Sequence, residues 1–169
     1  CLDVSLDSLH ASLYAAAVQG DGLVRVEPVQ AWAGADCTQQ LRNELPALVE
    51  RIKPQAIGWF PAGPAAAIAA DMAERPGWPP DGVKVEPLRN DAQAICMGFA
   101  EQVATRQLVH ADDPLLNAHV TAAEKLRQGD GWRFGRRGVG HVDAVYAAAG
   151  AVHLARTLPD PGAAGGFFA

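Results

Sequence analysis

Cysteine is scarce in this chain: Cys1, Cys37 and Cys96 are its only three in 169 residues, far apart and never in a CxxC pair. An odd, scattered set builds neither a disulfide framework nor a zinc knuckle, and it suits a reducing compartment. Long apolar runs are also missing. The Ala-rich segments are broken by charge, Gly or Pro well short of the ~20 residues a membrane span needs. The five histidines, His10, His110, His119, His141 and His153, form no HExxH and pair with no cysteine, so zinc is not expected. Ser5, Ser8 and Ser12 lie in no nucleophile elbow, which argues against a serine hydrolase. With no initiator Met and no signal peptide, the chain reads as a soluble piece of a longer polypeptide.

What is present is an ordinary globular composition, 49% hydrophobic and 20% charged. A chain of this length folds around one core and buries roughly two-thirds of the surface it exposes when unfolded. The net charge of −5 is unfavourable for nucleic acid as an average, but averages hide local fields. Five of the 14 basic residues, Lys125, Arg127, Arg133, Arg136 and Arg137, fall within thirteen positions. The glycines among them would let a phosphate backbone approach closely. A solvated hairpin is the plainer reading of the same charges.

Alternation predicts three strands, over residues 1 to 6, 10 to 18 and 23 to 32, with Asp21-Gly22 as a hairpin turn. Leu41, Leu45, Leu48 and Ile52 recur at helical spacing after Asp36, a candidate N-cap. "PQAIGWF" reads as a buried strand, "PAGPAAAIAADMAER" as a helix with Pro64 in its first turn, and "GVKVEPL" as a further strand. A helix over 91 to 106 buries Ala94, Ile95, Phe99 and Val103. Another spans 113 to 126, begun by Asp113 and Pro114, with Asp112 as a turn residue. A Gly- and Arg-rich hairpin or loop surrounds a strand at Trp132 to Phe134. The Ala-rich segment 141 to 158 is a closing helix whose small side chains require close packing, and 159 to 169 is a flexible tail. Meander, then α/β alternation, then a closing helix, is the element order of the ribonuclease H-like α/β fold: a central mixed sheet of antiparallel and then parallel strands, flanked by helices. One such domain covers residues 1 to 158.

The unusual residue in this pattern is Asp3, a carboxylate between Leu2 and Val4 in an apolar strand. In the ribonuclease H-like arrangement, the first strand and the last helix bring acids together, so Asp3 and Asp143 become neighbours. Two carboxylates in a partly dry cleft are costly unless a cation neutralises them, which points to Mg²⁺ or Mn²⁺. The plainer alternatives are a solvent-facing Asp3 and an Asp143 that only complements its helix dipole. His141, two positions earlier, either donates to a phosphate or serves as a surface or capping residue.

Five segments in order, "LDVSLDSLHASLYAAA", "GWFPAGPAAAIAADM", "LVHADDPLLNAHV", "GDGWRFGRRG" and "HVDAVYAAAGAVHLAR", resemble the C-terminal nuclease domain of the large terminase subunit of tailed bacteriophages, especially those of actinobacterial hosts. The resemblance implies an endonuclease domain that cuts concatemeric double-stranded DNA during packaging by two-metal phosphodiester hydrolysis. It also implies a host-cytoplasmic setting and no membrane. Expected partners are double-stranded DNA, an N-terminal ATPase domain of the same polypeptide, the portal and the small terminase subunit. The absence of a GxxxxGK[ST] loop suits a separated nuclease half. The resemblance implies Asp3 and Asp143 as catalytic metal ligands for two Mg²⁺ or Mn²⁺ ions, with the 125 to 137 loop on DNA. Many family members carry an acid at the end of the fourth strand, where this chain has Trp59 and Phe60. Asp7, otherwise a turn residue, is then the candidate third ligand, with Asp91, otherwise an N-cap, in reserve. The alternatives are a catalytically weakened module of the same fold that grips DNA or docks on the portal, and a resolvase- or transposase-like nuclease.

Overall fold

The structure is a computed structural model and describes residues 1–89, 92–138 and 140–159. Asp91 and residues 160–169 of the expected tail lie outside the described residues. The elements are β1 (Leu2–Val4), β2 (His10–Val18), β3 (Val24–Ala33), α1 (Cys37–Ile52), β4 (Ala56–Trp59), α2 (Ala65–Ala73) and β5 (Lys84–Pro87). They continue as α3 (Ala92–Ala104), β6 (Leu108–His110), α4 (Pro114–Ala122), β7 (Lys125–Gln128), β8 (Gly131–Phe134) and α5 (Asp143–Thr157).

A six-stranded sheet runs β5-β4-β1-β2-β3-β6. The first three strands are antiparallel, while β4 is parallel to β1, β5 to β4, and β6 to β3. This is the mixed sheet of a ribonuclease H-like fold. Side chains alternate between its two faces, as the pleat requires. Leu2, Val4, Ala11 and Leu13 enter one core with α1 and α2, whereas Cys1 and Tyr14 enter the other with α3 and α5. Asp3 and Ser12, paired directly across β1 and β2, therefore face α5.

The Asp21-Gly22 turn forms with Gly22 at φ 84, a conformation that glycine adopts without strain. Asp113 caps α4 by accepting from the amides of Leu115 and Leu116, and Pro114 occupies its first turn. Three details differ from the sequence pattern. In α1, Leu41, Leu45 and Val49 are buried with Cys37, while Leu48 is half-buried and Ile52 exposed. In α3, Ala94 and Val103 face out, and Cys96 and Gln102 face in beside Ile95 and Phe99. The fourth helix stops at Ala122, because Lys125–Gln128 pairs with Gly131–Phe134 as a separate hairpin, Lys125 lying 4.5 Å over the Trp132 ring. The three-residue β6 is too short to show in the sequence; its pairing along β3 defines it.

The closing helix is buried almost all round from Asp143 to Val152, as expected for an apolar helix lodged in a core. Its close approach to the sheet depends on small residues. A Cβ on Gly58 of β4 would lie 2.7 Å from the Glu86 carbonyl oxygen and 2.8 Å from Leu154 Cδ1. Gly58→Ala is expected to cost about 1–3 kcal/mol of overpacking, seen as a Tm loss of roughly 2–4 °C per kcal/mol. Gly98→Ala in α3, where a Cβ meets nothing within 4 Å, is expected to leave the Tm unchanged or raise it. Equal effects of the two substitutions would refute close packing at Gly58.

Candidate functional site

Asp3, in the middle of β1, is 0% exposed, and Asp143, in the first turn of α5, is 2% exposed. The topology brings them to one place. Ser12, opposite Asp3 in the sheet, donates its hydroxyl to Asp143 Oδ2 at 2.6 Å. The two acids thus face the same buried patch from a strand and a helix 140 positions apart in sequence.

Each acid has a different environment. Asp3 accepts a bidentate pair from Arg136, Nη1 to Oδ2 at 2.6 Å and Nη2 to Oδ1 at 2.7 Å. The guanidinium lies 3.8 Å over the Tyr146 ring, whose hydroxyl donates to the Phe134 carbonyl. Burial lifts the Asp3 carboxyl to about 6, with the negative charge of Asp143 adding to the rise and Arg136 opposing it. Burial works against the charge of Arg136, but Asp3 outweighs it and holds the guanidinium above its ordinary pKa. Both are therefore charged at neutral pH. Asp143 Oδ1, by contrast, is buried with no hydrogen-bond partner. His119 Nδ1 stands 3.9 Å from it but accepts the Ala144 amide at 3.1 Å, and burial holds its pKa down. His119 is thus a neutral acceptor at the start of α5 and not an ionic partner of Asp143.

Asp7 sits in the turn between β1 and β2 and is exposed. Its Oδ1 accepts from the Ser5 hydroxyl at 2.5 Å and the Leu9 amide at 3.0 Å, which lower its pKa. Among the described residues, the potential ligands that gather within 4.8 Å of one another are Asp7, His10 and His141. Asp3 and Asp143 stand outside that group. The end of β4 carries no acid: Phe60 is buried edge-on against Tyr146, centroids 5.0 Å apart. The Phe60 ring therefore supports the aromatic on which Arg136 rests.

The basic residues expected on DNA divide between two settings. Lys125, Arg133, Arg136 and Arg137 line a groove of about 1230 Å³ between the β7–β8 hairpin and the loop after β4. Arg127 lies on β7, exposed, outside that lining. Arg136 lines the groove and also holds Asp3 through its guanidinium. Arg89, beyond the 125 to 137 cluster, adds a further cation to the groove. Its position there comes from the parallel pairing of β4 with β5, which no local pattern reports. The meeting of His10 with His141 was likewise invisible in the sequence, 131 positions separating them.

As a place for a divalent cation, the acidic pair fits in part. The partnerless Asp143 Oδ1 is a suitable oxygen ligand, whereas both Asp3 oxygens are matched by Arg136 as arranged.

Solved structures share this architecture. The large terminase nuclease from thermophilic phage G20c with bound magnesium aligns with 89% of this chain and 84% of its own, at TM-score 0.51 and 18% identity. The large terminase nuclease domain of Thermus phage P74-26 aligns with 90% of this chain and 82% of its own, at TM-score 0.51 and 17% identity. The fold is that of a large terminase nuclease domain. No protein-family model and no curated protein matches the sequence.

Removing Arg136 isolates the cost of the buried acid. Arg136→Met is expected to destabilise the chain by about 3–5 kcal/mol at neutral pH, because it leaves Asp3 buried without a counter-charge. A carboxyl whose folded pKa is raised contributes its stability fully below the unfolded value near 4 and loses it as pH rises through the folded value. The Arg136→Met deficit should therefore shrink as pH falls from 7.5 toward 5. Denaturant titrations at several pH values check this, and a pH-independent deficit would show that Asp3 does not depend on Arg136.

Proposed function

We propose that this chain is the DNA-cutting domain of a phage packaging terminase, a metal-dependent endonuclease that hydrolyses phosphodiesters of concatemeric double-stranded DNA. The observation that carries this reading is the convergence of Asp3 and Asp143 on one buried patch beside a groove lined by cations, within a terminase nuclease fold. Asp3, Asp143 and the nearby Asp7 would hold two divalent ions, Mg²⁺ or Mn²⁺. Such ions supply a nucleophilic water near neutral pH and offset charge on the leaving oxygen. The magnesium bound by the G20c nuclease supports this choice.

The chain's own groups have the following roles in this reading. Lys125, Arg133 and Arg137 bind the phosphate backbone along the groove, with Arg127 at its outer edge, which gives affinity without base preference. Arg136 holds Asp3 in place while the groove is empty. A phosphate in the groove competes for the same guanidinium, and Asp3 is freed as a ligand when it lets go. Ser12 orients Asp143 so that Oδ1 is the oxygen left open. The proposed partners are the ATPase domain preceding this one in the polypeptide, the portal and the small terminase subunit, with the host cytoplasm as the setting. Residues 1 to 158 form the nuclease unit and the remainder a tail. No described helix is long and apolar enough to cross a membrane.

One observation favours a second reading. Phe60 in place of a fourth-strand acid, together with an Asp3 already neutralised by Arg136, suits a module that grips DNA without cutting it.

Nicking of supercoiled plasmid separates the two. In Mg²⁺ or Mn²⁺ the chain is expected to relax plasmid, in EDTA to leave it intact, and Asp143→Ala to lower the rate by more than about 100-fold, beyond what loss of an outer-shell partner costs. Plasmid retained in a gel shift but never nicked would establish the gripping module. Nicking that persists in EDTA would end the metal-dependent reading.

A further inference from the structure

Three side chains meet at the turn end of the β1–β2 hairpin. Asp7 is in the turn, His10 opens β2, and His141 lies in the segment leading into α5. One ligand atom from each lies within 4.8 Å of the other two. The imidazoles of His10 and His141 are stacked, centroids 3.7 Å apart and planes tilted by 38°. His10 Nδ1 is buried with no hydrogen-bond partner, a costly state when nothing else binds the nitrogen. Among the described residues, the hydrogen bonds to Asp7 all fall on Oδ1, which leaves Oδ2 for another partner. Asp7 and His141 also line a cavity of about 300 Å³ together with Arg136.

We propose that Asp7, His10 and His141 bind one divalent first-row transition-metal ion, with Zn²⁺ preferred to Mg²⁺. Two imidazole nitrogens and one carboxylate oxygen form a donor set suited to such ions, whereas Mg²⁺ favours an all-oxygen octahedron. Such ions hold their N and O ligands at about 2.0–2.2 Å, which places those ligand atoms roughly 3–4 Å apart. The three residues close to that spacing by rotation of the exposed Asp7 side chain. A tetrahedral ion held by three protein ligands keeps one position open, and here that position opens onto the cavity bounded by Arg136, where a water or a phosphate oxygen fits. The bound ion ties the β1–β2 turn to the entrance of α5 and so braces the segments flanking Asp3 and Asp143. The site shares Asp7 with the nuclease reading, while His10 and His141 belong to it alone.

The test uses the whole 169-residue chain, freed of any polyhistidine tag, with ZnCl₂ as the probe. Calorimetry is expected to show one equivalent of Zn²⁺, weakened at least tenfold by Asp7→Asn, His10→Gln or His141→Gln and unmoved by Asp143→Asn. Zn²⁺ should raise the Tm of the unaltered chain but not of His141→Gln. Co²⁺ should give the visible absorption of a tetrahedral site, lost in the same three variants. Asp7→Asn changes an exposed side chain, so a loss there reports binding and not unfolding. Zn²⁺ binding unchanged in all three variants, or equal competition by Mg²⁺, would overturn the proposal. Because Asp143→Asn removes nicking in the nuclease reading and spares Zn²⁺ here, failure of one does not imply failure of the other.

Discussion

A carboxylate fixed in the central strand of a sheet, under a helix buried on nearly every side, requires a counter-charge held at the same depth. Asp3 and Arg136 meet that requirement as a bidentate pair, and much of the surrounding structure serves it. Tyr146 supplies an aromatic face for the guanidinium, Phe60 and Phe134 pack edge-on against Tyr146, and the Phe134 carbonyl accepts its hydroxyl. Arg136, just after β8, is thereby drawn into the body of the domain, while Arg137 stays exposed. A buried ion pair of this kind gives little net stability over an apolar replacement, but it is expensive to break by halves. Its effect is to tie Arg136, just after the β7–β8 hairpin, to β1.

That tie makes a single surface of the groove and the acidic patch. Arg136 is common to both. Asp143 is held differently, by one serine hydroxyl, with its other oxygen left without a partner. One acid is neutralised and the other has an oxygen left open. At the mouth, Asp7 and His141 line one cavity with Arg136, and His10 stacks on His141. These groups are neighbours because the turn after β1 and the entry to α5 come together, as they must when α5 packs across β1 and β2.

Local chemistry made much of the architecture readable in advance. The Asp-Gly turn, the Asp113-Pro114 helix start and the alternation around Asp3 are each decided by residues a few positions apart, and they formed as expected. The errors have a common cause. Which residues of α1 and α3 face inward depends on where the sheet lies, so Val49 and Cys96 displaced Leu48 and Ala94. The hairpin of β7 and β8 interrupted a helical pattern because cross-strand partners outweigh propensity over four residues. The basic cluster was visible as composition, but the inward turn of Arg136 was not, since charge density carries no direction.

The sequence by itself determined that Asp3 lies inside an apolar strand, that a closing helix of small residues begins near Asp143, and that the end of the fourth strand has no acid. These are properties of neighbouring residues and of side-chain size, and they survive any arrangement of the elements. Tertiary structure alone decided who accompanies those acids: Arg136 on Asp3, Ser12 on Asp143, and His10 beside His141. Such pairings join positions up to 133 residues apart. They exist only because the strand order and the packing of α5 bring the chain back to one point, which no local periodicity encodes.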